Sequence, residues 1–364
     1  MKSSAFLKTL CSLCLLHSSS AFANYARYYQ LVNKAEETFV TTKDKSCYRY
    51  YDSAFKEYKL PYLKDAYIAA EIAFYLKDTT KFLHYLGISF RNGLPLSSVR
   101  SAPMLRHINQ DPVYSKITAL YESNKSAFKV DAQARNAIWL LCHESDSLKC
   151  ETGKKKSNVP ASERRQKFLA YESGFREYIY TNYLSKDIFP NERIIGVATD
   201  SLNLALLKAN NKVDVWALAG IPTESSDEDN NKIDYELLAK YSLSVMIHSK
   251  CSFWKYREHL WNAVLNGYMQ PKEYAILHVT STIWNQTNDN PWDDCTIERQ
   301  GHYYYVMPEE TRVAPDFSAE TMAQIEKNRA AVYLQKYSVD EQKKQMQQET
   351  GIWFFYDFQD RQSG

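Results

Sequence analysis

The chain predicts a mostly α-helical protein, and three observations carry that reading. Glycine and proline are scarce, 10 and 11 among 364 residues, which argues against turn-rich all-β designs and favours long helices. Apolar residues recur at steps of three and four along several stretches, the period of a helix with one buried face. With 45 % hydrophobic and 24 % charged residues the composition is globular, so wholesale disorder is excluded. A chain of this length is expected to form about two domains. Its 28 tyrosines supply large rings to fill gaps between packed helices.

The first element in order is an export signal at residues 1–23. Lys2 and Lys8 give a basic start, Thr9 to Leu16 a short apolar run, and Ala21-Phe22-Ala23 an A-x-A cleavage site, the three parts of a secretory signal. The alternative is a short N-terminal helix within the fold. The apolar run is shorter than the ~18 residues a membrane span needs, and no other stretch suggests a span. Cleavage after Ala23 removes two lysines and no acid, which brings the 45 basic residues level with the 43 acidic ones. A neutral mature chain points to neither nucleic acid nor an anionic membrane as partner. The expected location is periplasmic or secreted.

In that oxidising setting Cys47, Cys142, Cys150, Cys251 and Cys295 remain. Five is odd, so at least one thiol is left over. Cys142 with Cys150, and Cys251 with Cys295, are the pairings to test, against buried thiols that act as small hydrophobes. No Cys/His spacing matches a zinc site, so neither a metal nor another cofactor is expected.

Residues 24–145 carry an internal repeat. At a shift of 34 residues Tyr48 meets Phe82, Tyr51 meets Tyr85, Ala54 meets Ile88, and Leu60-Pro61 meets Leu94-Pro95. The register holds backwards, with Ala35 on Ala69, Glu37 on Glu71, and Lys43-Asp44 on Lys77-Asp78. A period of this length, with two helices, a polar turn and a proline after the second, resembles the tetratricopeptide repeat. Small residues such as Ala35 and Ala69 let helices approach, and large residues at i, i+3 and i+4 fill the seam. A third, degenerate unit is expected from Ser97 to about Val130, and a further helix over 131–144.

A polar stretch at 146–162, with Lys154-Lys155-Lys156, reads as a linker. Residues 163–364 then form a second, mainly helical domain. Phe168, Tyr171, Phe175 and Tyr178 make an aromatic helix face, more naturally core than binding platform. Helices are expected near 200–208, 235–248 and 252–266, the last ended by Gly267 and followed by Pro271. Met322, Ile325 and Val332 mark another. Ile352-Trp353-Phe354-Phe355-Tyr356 suits either a strand or an apolar plug.

Between about 163 and 340 the order of short motifs is distinctive. Gly220-Ile221-Pro222, His248, Leu260-Trp261 through Gly267 and Pro271, and Tyr274-Ala275-Ile276-Leu277 are followed by His302-Tyr303-Tyr304, Ile325-Glu326, Arg329 and Tyr337. This order resembles an uncharacterised bacterial family common in Bacteroidota. The resemblance implies three recurring polar positions, of which His248 is retained. The other two fall here on Val279-Thr280 and near Tyr303-Tyr304-Tyr305.

For chemistry the chain offers candidates without a fixed constellation. HExxH, GxSxG, GxGxxG and phosphate-loop motifs do not occur. Asp227, Asp229 and Asn231 begin like a calcium loop, but Lys232 and Leu238 stand where Gly and Glu are needed, so a solvated acidic loop is expected. His248 follows Leu237, Tyr241 and Val245 at helical steps, so it is either a general base at the edge of an apolar face or a satisfied core histidine. His278 and His302 are the candidates to converge with it, alongside Glu298 and Arg299. Two functions follow. The favoured one is an exported helical-repeat protein that binds a peptide or protein partner. The other is a hydrolase-like enzyme with His248 as general base.

Overall fold

The computed structural model describes residues 25–58, 60–100, 102–153, 158–197, 200–213, 242–243, 245–247, 250–283 and 317–354. All regular structure among them is helical, as predicted, and no strand occurs among the described residues. Residues 25–42 form α1, followed by α2 (Tyr48–Glu57), α3 (Leu63–Tyr75) and α4 (Thr79–Arg91). After three short 3-10 turns come α5 (Tyr114–Asn124), α6 (Ala132–Gly153), α7 (Ala161–Asn182), the single turn α8 (Glu192–Ile195) and α9 (Asp200–Ala209). The chain then gives α10 (Lys250–Leu265), α11 (Pro271–Ile283), α12 (Ala319–Ala331) and α13 (Tyr337–Thr350).

The 34-residue register extends into the backbone. Lys43 and Lys77, one period apart, both take the left-handed conformation, with φ of 53° and 54°. The aspartate after each caps the next helix: Asp44 accepts from the Ser46 N–H at 2.8 Å, and Asp78 from the Lys81 N–H at 3.1 Å. Tyr51 and Tyr85 are both fully buried, their rings 6.1 Å apart. Their hydroxyls differ. Tyr85 donates to Asp52 at 2.9 Å, whereas the Tyr51 hydroxyl finds no partner. Tyr51→Phe is therefore expected to leave stability unchanged or raise it by about 1 kcal/mol, and Tyr85→Phe to lower it by about as much, in paired urea melts.

The third unit keeps only its second helix. One period beyond α4 lies α5, and the two pack together. The position of α3 one period on is instead broken into 3-10 turns at Leu96–Arg100, Pro103–Leu105 and Ile108–Gln110. Pro103 sits in mid-helix register there and cannot donate the hydrogen bond an α-helix needs. The expected helix over 131–144 is present as α6, and it continues to Gly153, inside the stretch expected to be a linker. This helix also settles one cysteine pair. Cys142 and Cys150 do not pair with each other, because eight helical residues separate them by about 12 Å, beyond the reach of a disulfide. Cys251 is disulfide-bonded, and Cys295, its expected partner, lies outside the described residues.

Of the aromatic face on α7, Phe175 is buried while Phe168, Tyr171 and Tyr178 are half-buried, so the stripe is a core edge. One buried apolar cluster runs from Tyr25 on α1 through Phe253 and Leu260 on α10 to Phe354. Ile352 and Phe354 end the described chain as a plug, both buried, with no strand pairing.

Arg193, just inside α8, ties α10 to the first hairpin. Its guanidinium lies 4.9, 5.3 and 4.4 Å from the ring centres of Tyr25, Tyr58 and Tyr62. It donates to the carbonyls of Gly267 at 2.5 Å and Leu60 at 2.6 Å, and to the Tyr25 hydroxyl. Gly267 closes α10 in a Schellman turn, with its own N–H on Val264 and the Tyr268 N–H on Ala263.

Candidate functional site

Charged side chains sit on apolar helix faces at three places, and the fold brings them together. On α1 Glu36 shares a face with Val32, Phe39 and Val40. On α13 Lys343 lies between Val339 and Met346. Asp65 stands in the first turn of α3, beside Ala66 and Ile68. All three charged groups are buried, Asp65 being only 4 % exposed. They line a cleft between α1, the start of α3, the residues leading into α11, and the α12–α13 turn.

The cleft is held by an interlocked polar network. The Lys343 ammonium reaches Glu36 at 2.8 Å and Gln335 Oε1 at 2.9 Å. Gln335 Nε2 donates to Glu36 at 2.9 Å and to the Asn33 carbonyl at 3.1 Å. Arg329, buried on α12, pairs with Asp340 and donates from Nε to the Gln335 carbonyl at 2.6 Å. Burial would raise the Asp340 carboxyl, but Arg329 and Lys343 hold it below the ordinary range. In the same turn Tyr333 is left-handed, with φ of 59°, a costly conformation for an aromatic residue. Its ring is clamped between Tyr29, at 6.3 Å, and Trp261, at 5.7 Å.

Asp65 differs from the other acids. Its Oδ2 accepts from the Tyr28 hydroxyl at 2.7 Å, and the Tyr28 hydroxyl in turn accepts the Tyr62 N–H at 3.0 Å. No ion pair neutralises it among the described residues. Burial raises its pKa to about 6, with Glu36 adding to the effect while Lys64 and Lys343 oppose it. A carboxylate perturbed in this way on the wall of a cleft is a candidate functional position. Glu273, near the same mouth, is pushed to about 7 by burial, although its Oε2 accepts the Gln270 N–H at 2.6 Å as a helix cap.

The sign for stability follows from Asp65 itself. Its folded pKa lies above the unfolded value near 3.8, so the fold favours the protonated acid. That contribution is complete below the unfolded value and is lost as pH rises through about 6. Asp65→Asn removes the charge and is expected to stabilise the chain by about 2–3 kcal/mol at pH 7.5, an advantage that vanishes below about pH 4. Chemical denaturation of both proteins at the two pH values checks it.

Of the histidines singled out from sequence, His248 and His302 lie outside the described residues. His278 is on α11, inside the fold. It stacks flat on Phe253 at 4.2 Å, with Trp254 edge-on at 5.2 Å. Burial, helped by Arg257, lowers its pKa to about 4, so the imidazole is neutral at physiological pH. The Cys47 thiol is raised to about 12 by burial, and burial also raises Cys142, so neither offers a thiolate. Among the described residues no group of three or more His, Cys, Asp or Glu is placed to hold a metal, and no helix is long and apolar enough to cross a membrane.

The described chain is thus a mainly helical protein with a charged cleft at the meeting of its first hairpins and its last two helices. Comparison with protein-family models, curated proteins and solved structures finds no match.

Proposed function

We propose that the protein is an exported binding protein, built from tetratricopeptide-like hairpins, that holds a peptide or protein segment against its N-terminal helices. One observation carries this reading: the chain's own non-helical segment after α13 already lies there. The Trp353 N–H donates to the buried Glu71 carboxylate on α3 at 2.8 Å, and the Phe354 N–H donates to Gln347 at 3.0 Å. Ile352 is fully buried, and the Phe354 ring sits 6.3 Å from Phe39 on α1, at the edge of the cleft. A main-chain hydrogen bond together with buried apolar side chains is enough to hold a short segment on a protein surface. Export is supported by the bonded Cys251, since disulfides persist in oxidising compartments.

Cross-linking of the full chain in the native envelope, followed by mass spectrometry, tests the reading. Partner adducts are expected on Lys64 and Lys272 at the cleft rim and not on Lys116 of α5. Adducts spread evenly over the surface lysines, or no captured protein, would contradict it.

A further inference from the structure

Three buried acids meet where the first hairpin joins the later helices. Asp65 lies in the first turn of α3, Glu192 opens α8, and Glu273 lies in the first turn of α11. None is more than 6 % exposed. Glu192 repels both Asp65 and Glu273, and the Lys64 ammonium acts on all three.

The other charges that face them are mostly spoken for. From α1 Asp65 meets the Tyr28 hydroxyl and Glu36, and from α13 it meets Lys343, which Glu36 already holds at 2.8 Å. Glu273 is faced by Glu192 from α8 and Lys64 from α3, while its neighbour Lys272 acts on Asp340. Arg193 offsets part of the burial of Glu192, but its hydrogen bonds go to Gly267, Leu60 and Tyr25. Fully ionised, three carboxylates would share Lys64 and Arg193 in surroundings closed to water. Burial of that kind favours the protonated acid.

The remaining bonds that close the junction carry no charge. The Tyr62 hydroxyl donates to the Gly267 carbonyl at 3.1 Å, and the Tyr29 hydroxyl to the Met269 carbonyl at 2.8 Å. Asn191 Nδ2 adds a bond to the Gly267 carbonyl at 3.4 Å. Burial keeps both tyrosine hydroxyls protonated far above neutrality, so the acids set the response to pH. Burial raises all three, Asp65 to about 6 and Glu273 to about 7. Their folded pKa values exceed the unfolded ones. The closed junction is therefore fully favoured in acid, and that contribution is lost as pH rises through about 6 to 7.

We propose that these three acids make the junction of α3, α8 and α11 a pH-operated latch, shut in mild acid and loosened as the carboxylates ionise. The latch governs the cleft, because Tyr29, Tyr62, Asp65 and Gln270 all line it. It goes beyond partner binding by the hairpins, and no partner enters its test.

Hydrogen–deuterium exchange of the full chain at about pH 5 and about pH 8, corrected for the intrinsic pH dependence of exchange, tests the latch. Protection in residues 61–68 and 267–276 should fall at least tenfold at the higher pH. Each unit of pKa displacement is about a tenfold shift in the opening equilibrium. Protection in α5 and α7 should change less than about twofold. Asp65→Asn combined with Glu273→Gln should hold protection at the higher pH within about twofold of its value in acid. Each single variant, its fold checked by circular dichroism, should recover part of it. Equal corrected protection of the wild type at both pH values would overturn the latch. So would an equal fall in α5 and α7, which would place the acids in global stability instead. A pH-dependent fall that survives the substitutions would overturn the role of these acids.

Discussion

Arg193→Ala is expected to destabilise the full chain by about 3–5 kcal/mol, a fall in melting temperature on the order of 10 °C. The guanidinium makes three hydrogen bonds, to the Gly267 and Leu60 carbonyls and the Tyr25 hydroxyl, and three rings surround it. A charged donor contributes about 1.5–3 kcal/mol and a cation among rings about 0.5–2 kcal/mol, and because the bonds share one group whose partners can be rehydrated in the variant, they do not sum bond by bond. Its loss also deprives buried Glu192 of the cation that offsets part of its burial. Arg193→Lys is expected to recover only part of the stability, because an ammonium is a point charge and cannot fork between Gly267 and Leu60. Thermal melts of the two variants check both statements, and equal melting of Arg193→Ala and wild type would remove this junction from the account.

Gly267→Ala is expected to cost about as much by a different route. The residue is left-handed, with φ of 72°, which costs an alanine about 1–2 kcal/mol. An added Cβ would stand 2.1 Å from Cε2 of Tyr25 and 2.4 Å from its Cζ. That ring is fully buried, with Tyr58 edge-on at 4.1 Å and Arg193 over its face, so it has no room to yield. Overpacking of this kind adds about 1–3 kcal/mol. The damage should spread to the cleft, because the Tyr62 hydroxyl donates to the Gly267 carbonyl at 3.1 Å and that of Tyr29 to the Met269 carbonyl at 2.8 Å. A Gly267→Ala protein that melts within a degree or two of wild type would show that Tyr25 is not fixed as described.

The helices were legible because they rest on local pattern. Steps of three and four, few breakers, Gly267 as a stop and Pro271 as a start each act within a turn or two of chain. Even the repeated turn was visible, since Lys43-Asp44 and Lys77-Asp78 match in sequence and in backbone. The helix expected over 131–144 was read too short, because serine, lysine and acid at 146–153 do not look like an amphipathic face. With no glycine or proline before Gly153, α6 simply runs on through them. Helix α13 was missed because Val339 and Met346 are nearly all of its apolar face.

The cleft was hidden for a different reason. Its signal, an acid or lysine on an apolar face, is present at Glu36 and Lys343, but such residues read as ordinary solvated charge until a partner is known. Those partners are far away in sequence: Asn33 donates to the Tyr333 carbonyl, and Gln335 reaches back to Glu36. The repeat itself gave a false equivalence at one acid. Glu37 is a surface residue paired with Lys34, whereas Glu71, one period on, is fully buried and holds the Trp353 N–H. Which of two equivalent acids is buried depends on what the last helix lays against it.

Hydrogen–deuterium exchange of the full chain, with and without the partner captured by cross-linking, tests the central claim most directly. Partner binding is predicted to slow exchange in residues 29–40, 62–72 and 329–343, the three stretches that meet at the cleft. Protection confined to α5, α7 or α9, with those stretches unchanged, would contradict it.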